Sequence, residues 1–261
     1  MPLYGIISDI HGNAHALRAA LKFLLEDRHV DAILCLGDIV GYNPSPDTCL
    51  DLLEQQNTLS IAGNHDLIAA GTLGFERCSP RATFALRRTR ATLHDATRRT
   101  LALLPARRLL EDEILLTHGG LADVCQYITT PALVEQNAAR MHKEHPRARL
   151  CLFGHTHTRK LYEIQHGTAT ERPVAPEIDT PLPTRRGVTF FLNPGSIDAA
   201  RKQGPRLAEL ALFDSTRQTA SFHQLPYDHE EAEHLAAEQG YRMTRWQERL
   251  DRAARRLLGK R

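Results

Sequence analysis

Asp9 and His11, two apart in Ser8-Asp9-Ile10-His11-Gly12-Asn13, are the first residues whose types and spacing could do chemistry. On an extended segment both side chains point the same way, so a carboxylate and an imidazole reach one centre. Gly154-His155-Thr156-His157 repeats that spacing with two imidazoles. Between the two pairs stand Gly37-Asp38, Gly63-Asn64-His65-Asp66 and His118-Gly119-Gly120. Together Asp9, His11, Asp38, Asn64, His118, His155 and His157 offer two carboxylates, one amide oxygen and four imidazoles. A structural zinc takes four ligands, commonly with cysteine sulfur. Seven nitrogen and oxygen donors without sulfur point instead to two divalent ions sharing a carboxylate. Mn²⁺, Fe²⁺ or Zn²⁺ suit such donors, with Mg²⁺ or Ni²⁺ as further options. Paired ions ~3.5–4 Å apart serve in-line displacement at phosphorus. His65, beside such a centre, is placed to act as acid or transition-state donor. Asn13 can cap the following helix unaided, which leaves Asp9 and His11 without a structural task.

Each block follows a short apolar run, at 3–7, 32–36, 58–62, 113–117 and 150–153. Such runs read as buried strands, and open α/β sheets bind ligands in the crevice at the strand ends. Helical periodicity follows the first run through Leu17, Ala20, Leu21 and Leu24, and the second through Leu50 and Leu53. This is the βαβ rhythm of a layered α/β domain. Residues 67–108 differ: arginines stand among leucines, and Ser79-Pro80 and His94-Asp95 mark two helix starts. Those arginines read as a solvated helix face, with a lid or substrate wall as the alternative. Residues 165–186, with Pro173, Pro176, Pro181 and Pro183, read as a long exposed loop. A strand at 187–192 runs into the turn Asn193-Pro194-Gly195-Ser196, and 207–213 with 219–225 reads as a hairpin around Asp214-Ser215. From Asp228 onward the pattern is helical.

Bulk properties exclude several classes. With 261 residues and 42% hydrophobic content there is material for one large α/β domain or two small ones. A net charge of +2 demands neither nucleic acid nor an anionic membrane. No apolar run reaches the ~18–20 residues of a membrane span, and Met1-Pro2-Leu3-Tyr4-Gly5 carries no signal-peptide pattern. Five cysteines without a C-x-x-C pair, with Cys35 and Cys151 inside apolar runs, point to core thiols and a reducing, cytoplasmic setting. The unusual count is 14 histidines, the commonest metal ligand and acid–base side chain.

In order along the chain, the five blocks resemble the signature of the calcineurin-like metallophosphoesterases: Asp9-Ile10-His11-Gly12-Asn13, Gly37-Asp38-Ile39-Val40-Gly41, Gly63-Asn64-His65-Asp66, His118-Gly119 and Gly154-His155-Thr156-His157. Val40-Gly41-Tyr42 and Asn193-Pro194-Gly195-Ser196 are similar to blocks of the small bacterial and archaeal phosphodiesterase branch. The resemblance spans 3–225 and implies a four-layer α/β/β/α sandwich of two mixed sheets. It implies that Asp9, His11, Asp38 and His157 hold one metal, and that Asp38, Asn64, His118 and His155 hold the other, Asp38 bridging. A metal-bridging hydroxide would then attack a phosphodiester or phosphomonoester in line. His65 would assist the leaving group or transition state, Asp66 would orient His65 or a neighbour, and Asn13 and Asn64 would contact substrate. Gly41-Tyr42 stands where protein phosphatases of the superfamily carry Asp-Arg. The fourth block reads His118-Gly119-Gly120-Leu121 rather than His-Ala-Ser-Pro. A serine/threonine protein phosphatase and a dinucleoside-polyphosphate hydrolase are the alternatives within the enzyme class. A non-catalytic scaffold of the same fold is the alternative outside it, and His65 with the seven ligands argues against that.

The expected organisation is a phosphoesterase domain over 1–225 and a helical extension over 226–261. The expected partner is a small phosphate ester, with no membrane and no clear nucleic-acid partner. In the extension Met243, Trp246, Leu250, Ala253 or Ala254, and Leu257 recur at helical spacing. That stripe either docks on the sandwich or forms a homodimer seam through 241–258, and both uses predict a shielded Trp246.

Overall fold

Alternation along the strands decides the layering. In β1 (Leu3–Ile7) Tyr4 and Ile6 face one side and Ile7 the other. In β5 (Ile114–Thr117) Ile114 and Leu116 face one side and Leu115 the other. Tyr4, Ile6, Ile114 and Leu116 belong to a single apolar core between two sheets, whereas Ile7 and Leu115 lie under helices on the outer faces. A one-residue slip would turn each set to the wrong side.

The computed structural model describes residues 2–198, 205–244 and 246–247. Its elements continue with α1 (Ala14–Lys22), running on through a π-helical turn at Phe23–Asp27, then β2 (Ala32–Cys35), α2 (Pro46–Gln55), β3 (Leu59–Ser60) and α3 (Asn64–Ala70). Next come α4 (Pro80–Thr92), α5 (Asp95–Leu103), β4 (Arg107–Leu110) before β5, α6 (Pro131–Glu144) and β6 (Leu150–Leu152). The rest is β7 (Lys160–Gln165), β8 (Thr168–Arg172), β9 (Thr180–Pro181), β10 (Val188–Asn193), β11 (Ala208–Asp214), β12 (Thr219–Leu225) and α7 (His229–Glu238). One six-stranded sheet runs β3-β2-β1-β11-β12-β9 and the other β4-β5-β6-β10-β7-β8. Strands β1, β2 and β3 are mutually parallel, as are β5, β6 and β10, while β11, β12, β4 and β7 pair antiparallel. Helices α1 and α2 cover the first sheet and α6 the second, giving the expected four-layer α/β/β/α sandwich of two mixed sheets. Among the described residues no helix is long and apolar enough to cross a membrane.

Both expected starts in the arginine-rich stretch hold. Ser79 Oγ accepts the Ala82 N–H at the head of α4, and Asp47 Oδ1 accepts the His94 N–H before α5. Three expectations are corrected. The stretch 67–108 is not wholly helical, because β4 begins at Arg107 as an edge strand against β5. Residues 165–186 are not one exposed loop. A tight turn with positive φ at His166 and Gly167 joins β7 to β8, and β9 adds to β12. Strand β8 buries only the small Ala169, whose N–H donates to Glu135 of α6, so its hydrophobic pattern is too faint to read. Helix α7 ends at Glu238, and the chain leaves helical geometry through Gly240 at φ 72° before Trp246 and Gln247 are helical again. Most of the tail stripe, including Leu250 and Leu257, lies outside the described residues. Trp246 is described and is 68% exposed, not shielded.

Candidate active site

Every candidate ligand sits where a parallel strand runs out. Asp9 and His11 follow β1, Asp38 follows β2, Asn64 opens α3 after β3, His118 follows β5, and His155 and His157 follow β6. The ends of the two sheets are tied together. The His155 N–H donates to Asp9 Oδ2 at 3.1 Å, and His118 Nδ1 lies 2.8 Å from the Leu36 carbonyl. Gly154 permits that approach, since a Cβ there would stand 2.0 Å from Ser8 Oγ. Asn193, the last residue of β10, donates to the Gly154 carbonyl and accepts the Gly195 N–H, so the Asn-Pro-Gly-Ser turn clamps the His155 loop.

The backbone at these positions is strained. Asp9, His11, Asp38, His155 and His157 all adopt the left-handed region, with φ of 55°, 53°, 54°, 66° and 56°. That region costs a residue with a Cβ about 1–3 kcal/mol, and such residues gather at functional sites. The loops hold the conformation by backbone bonds: the Asp9 N–H donates to the Gly37 carbonyl and the His11 N–H to that of Asp38.

All the candidate ligands are buried. Asp9, His11 and His157 form one cluster of donor atoms within 4.8 Å of one another; Asp38, His118 and His155 form a second, and His11, Asp38 and His65 a third. Asp38 is shared by two of them. His11 Nε2 lies 3.1 Å from His157 Nε2, and His157 Nε2 3.2 Å from Asp9 Oδ1. Asp9 Oδ1 is buried without a hydrogen bond of regular geometry. His118 gives the sharpest test of whether a cation fits. Its Nε2 faces Asn64 Oδ1 at 3.1 Å and Asp38 Oδ1 at 3.4 Å, while Nδ1 lies against the Leu36 carbonyl. Two oxygen acceptors converging on one buried ring nitrogen call for positive charge there, supplied by a proton on Nε2 or by a metal ion in its place. His155 Nε2 is 3.2 Å from the Cys125 carbonyl, which leaves Nδ1 for the cluster. The donor set fits divalent ions.

Electrostatics agree. Burial works against a charged Asp38, but the neighbouring His118 and His65 outweigh it and hold the carboxyl well below its usual range. Burial likewise opposes charge on Asp9, and His157 brings its pKa down. Burial would depress His118, yet Asp38 pushes it up to about 9. Burial, then the charge of His118, lowers His155 to about 4. These are carboxylates and imidazoles tuned to hold positive charge between them.

The remaining predicted residues have these places. His65 donates its N–H to Asp38 Oδ1 at 2.8 Å, with Nε2 4.0 Å from Asp38 Oδ2. Gly41, at φ 147°, backs the ring, because a Cβ would stand 2.5 Å from His65 Nδ1. Asp66 is fully buried; its carboxylate accepts the Val40 and Gly63 N–H groups and so fixes the loops around Asp38. Burial first, then Asp38, raises it to about 7. Asn13 caps α1 through the Ala16 N–H, and its amide donates to Asp198 Oδ1 at 3.0 Å. Sequence reasoning missed Asp198, Tyr42 and Tyr127. Asp198 is buried below Asn13, and only its place two residues after Ser196 could have marked it. The Tyr42 ring lies 4.7 Å from His11 and 5.0 Å from His65, and that of Tyr127 lies 3.9 Å from His155. A cavity of about 660 Å³ opens beside Asn64, His65 and His155.

Comparison with known proteins gives the same picture. The family model described as calcineurin-like phosphoesterase matches residues 3–159. An uncharacterized protein of Methanocaldococcus jannaschii is 46% identical over 74 residues, a match spanning 28% of this chain and 29% of that protein. The crystal structure of a metallophosphoesterase from Sphaerobacter thermophilus superposes with a TM-score of 0.76 at 28% identity, covering 92% of this chain and 94% of that one. A hypothetical protein from Pyrococcus horikoshii OT3 gives 0.69 at 18% identity over 91% and 94%, a likeness of fold alone.

Proposed function

This chain belongs to the calcineurin-like phosphoesterases, and from that premise we propose that it is a dinuclear-metal phosphoesterase cleaving phosphodiester or phosphomonoester bonds. Asp9, His11, Asp38 and His157 would hold one divalent ion. Asp38, Asn64, His118 and His155 would hold the second, with Asp38 common to both. The observation that carries this is His118, whose Nε2 faces the oxygens of Asn64 and Asp38 in a buried site, where a metal ion can take the place of a proton. Mn²⁺, Fe²⁺ or Zn²⁺ suits that mixture of imidazole, carboxylate and amide donors. Bound there, the ions would supply positive charge that lowers the pKa of water and offsets charge on the phosphate oxygens.

The chain's own groups do the rest. Asp38 accepts the His65 backbone N–H, which fixes the start of α3 and so places His65 beside the cavity. From there His65 donates a proton or hydrogen bond to the leaving oxygen. Gly41 and Tyr42 fix the ring from behind, and Asp66 holds the Val40 and Gly63 backbones in register. Bis-p-nitrophenyl phosphate tests the proposal. The purified chain should release p-nitrophenolate with Mn²⁺, lose the activity on chelation and regain it on adding the ion back. No turnover with any of the divalent ions would reject it.

A further inference from the structure

Three of the four candidate ligand imidazoles have both ring nitrogens accounted for. His11 Nδ1 lies 3.4 Å from the Val40 carbonyl, His118 Nδ1 2.8 Å from that of Leu36, and His155 Nε2 3.2 Å from that of Cys125, each leaving its other nitrogen for the clusters. His157 differs. Its Nε2 faces the first cluster, 3.1 Å from His11 Nε2 and 3.2 Å from Asp9 Oδ1, while its Nδ1 is buried with no hydrogen-bond partner among the described residues. A ring that gives Nε2 to an ion carries its proton on Nδ1, and metal-bound imidazoles regularly donate that proton to an oxygen. One buried oxygen in the same region is equally alone. Asp198 is 2% exposed; its Oδ1 accepts the Asn13 amide at 3.0 Å, and its Oδ2 has no hydrogen-bond partner among the described residues. A carboxylate this deep is costly unless a donor reaches it. Its backbone is tied to the ligand loop: the Asp198 N–H donates to the Asp9 carbonyl at 3.0 Å, and Ser196 Oγ lies 3.0 Å from that carbonyl and 2.8 Å from the carbonyl of Asp198. Burial raises the Asp198 pKa, and Asn13 and then the charge of His157 pull against it, so the ring is among the groups the carboxylate feels.

We propose that Asp198 is a positioning residue for the first ion, its Oδ2 accepting the His157 Nδ1–H, directly or through one bound water, when Nε2 holds the ion. This rests on the two-ion phosphoesterase reading and adds to that site a residue outside its ligand set. The contact fixes the Nδ1-protonated tautomer, sets the plane of the ring and, through the negative charge of the carboxylate, raises the basicity of Nε2. Asn13 has a part in it, because its amide holds Oδ1 and leaves Oδ2 for the ring. Asparagine at position 198 keeps the shape and the oxygen on Asn13. It then turns an amide NH₂ toward the His157 Nδ1–H, donor against donor.

Equilibrium dialysis of the metal-stripped full chain against stepped Mn²⁺ tests the inference on the wild type and Asp198→Asn, with His11→Ala and His118→Ala marking the two ion sites. Asp198→Asn should weaken one binding step by about 10–100-fold. That step should be the one His11→Ala removes, and the step His118→Ala removes should stay as in the wild type. In the Zn²⁺-loaded wild type, nitrogen-15 NMR should show a slowly exchanging Nδ1–H on His157, and Asp198→Asn should lose it. A carboxylate that only supports the fold would instead lower the melting temperature of the stripped protein and leave both binding steps and the His157 signal intact. That result overturns the proposal, as does equal weakening of both steps or a His157 Nδ1–H signal that persists in Asp198→Asn. Hydrolysis of bis-p-nitrophenyl phosphate, measured on the same preparations, keeps the two levels apart: a wild type that binds two ions without turnover rejects the phosphoesterase reading, while the binding steps and the His157 signal still decide the role of Asp198.

Discussion

At the scale of single residues the site is defined by who faces whom. Asp38 meets His11 at 3.8 Å, His118 at 3.4 Å and His65 at 4.0 Å, so its loss removes a donor from both proposed ion sites. Asp38→Ala should therefore bind less metal than His118→Ala, by elemental analysis of the purified variants; equal content would speak against a shared carboxylate. His65→Ala should keep its metal and lose about 10²–10⁴-fold in kcat. The loss should shrink for a good leaving group such as p-nitrophenolate if His65 gives a proton. A drop in bound metal matching that of His155→Ala would make His65 a ligand instead, as its cluster with His11 and Asp38 would allow. The ligand set was legible because Asp9, His11, His155 and His157 have no packing task that would explain their spacing. Tyr42 and Tyr127 were not legible. A tyrosine in a loop has many ordinary uses, and only the fold puts these rings on His65 and His155.

At the scale of elements, runs that end in a chemical block were readable since burial on both sides leaves an unbroken apolar stretch, as in Ile114-Leu115-Leu116 of β5. Strands on the far edge escaped notice. β8 carries Thr168, Thr170, Glu171 and Arg172 around a single buried alanine, and β9 is two residues long. The antiparallel pair β11 and β12 was readable as two runs flanking the Asp214-Ser215 turn, and it offers a test in acid. His223 of β12 is buried, 3.0 Å from Ser221 Oγ and with its ring 5.0 Å from Phe23. Burial first, then the Arg28 charge, lowers its pKa from 6.5 to about 4, against the opposing pull of Glu177 and Asp179. A depressed histidine favours the fold while neutral. Its contribution is complete above 6.5 and is lost as pH falls from there toward about 4, because the unfolded chain takes up the proton first. Melting temperatures recorded from neutral to acid pH should fall less steeply for His223→Gln than for the wild type. Parallel curves would refute the assignment.

At the scale of the whole molecule, chain that follows the last strand reaches back to the active centre. Arg242 donates to the Tyr42 carbonyl at 2.7 Å and to Asn43 Oδ1 at 2.9 Å, and pairs with Glu233 at 2.9 Å. The Asn43 amide in turn donates to the His11 carbonyl at 3.2 Å. One guanidinium thus fixes the loop that sets Tyr42 against His11 and His65, although roughly 200 residues separate them in sequence. No local pattern could announce a contact of that separation. Arg242→Ala should lower kcat by up to about 10²-fold through misplacement of the loop, with bound metal retained. Lysine should not restore it, having no planar fork; a variant with wild-type kcat would show that the contact serves stability alone. The two-ion proposal for the crevice between the sheets is tested most directly by one titration. Metal-stripped protein is given Mn²⁺ in known steps while hydrolysis of bis-p-nitrophenyl phosphate is followed. Turnover should be absent at the start and reach its plateau only as the second equivalent per chain is taken up; a plateau at one equivalent, or turnover in the stripped protein, would contradict it.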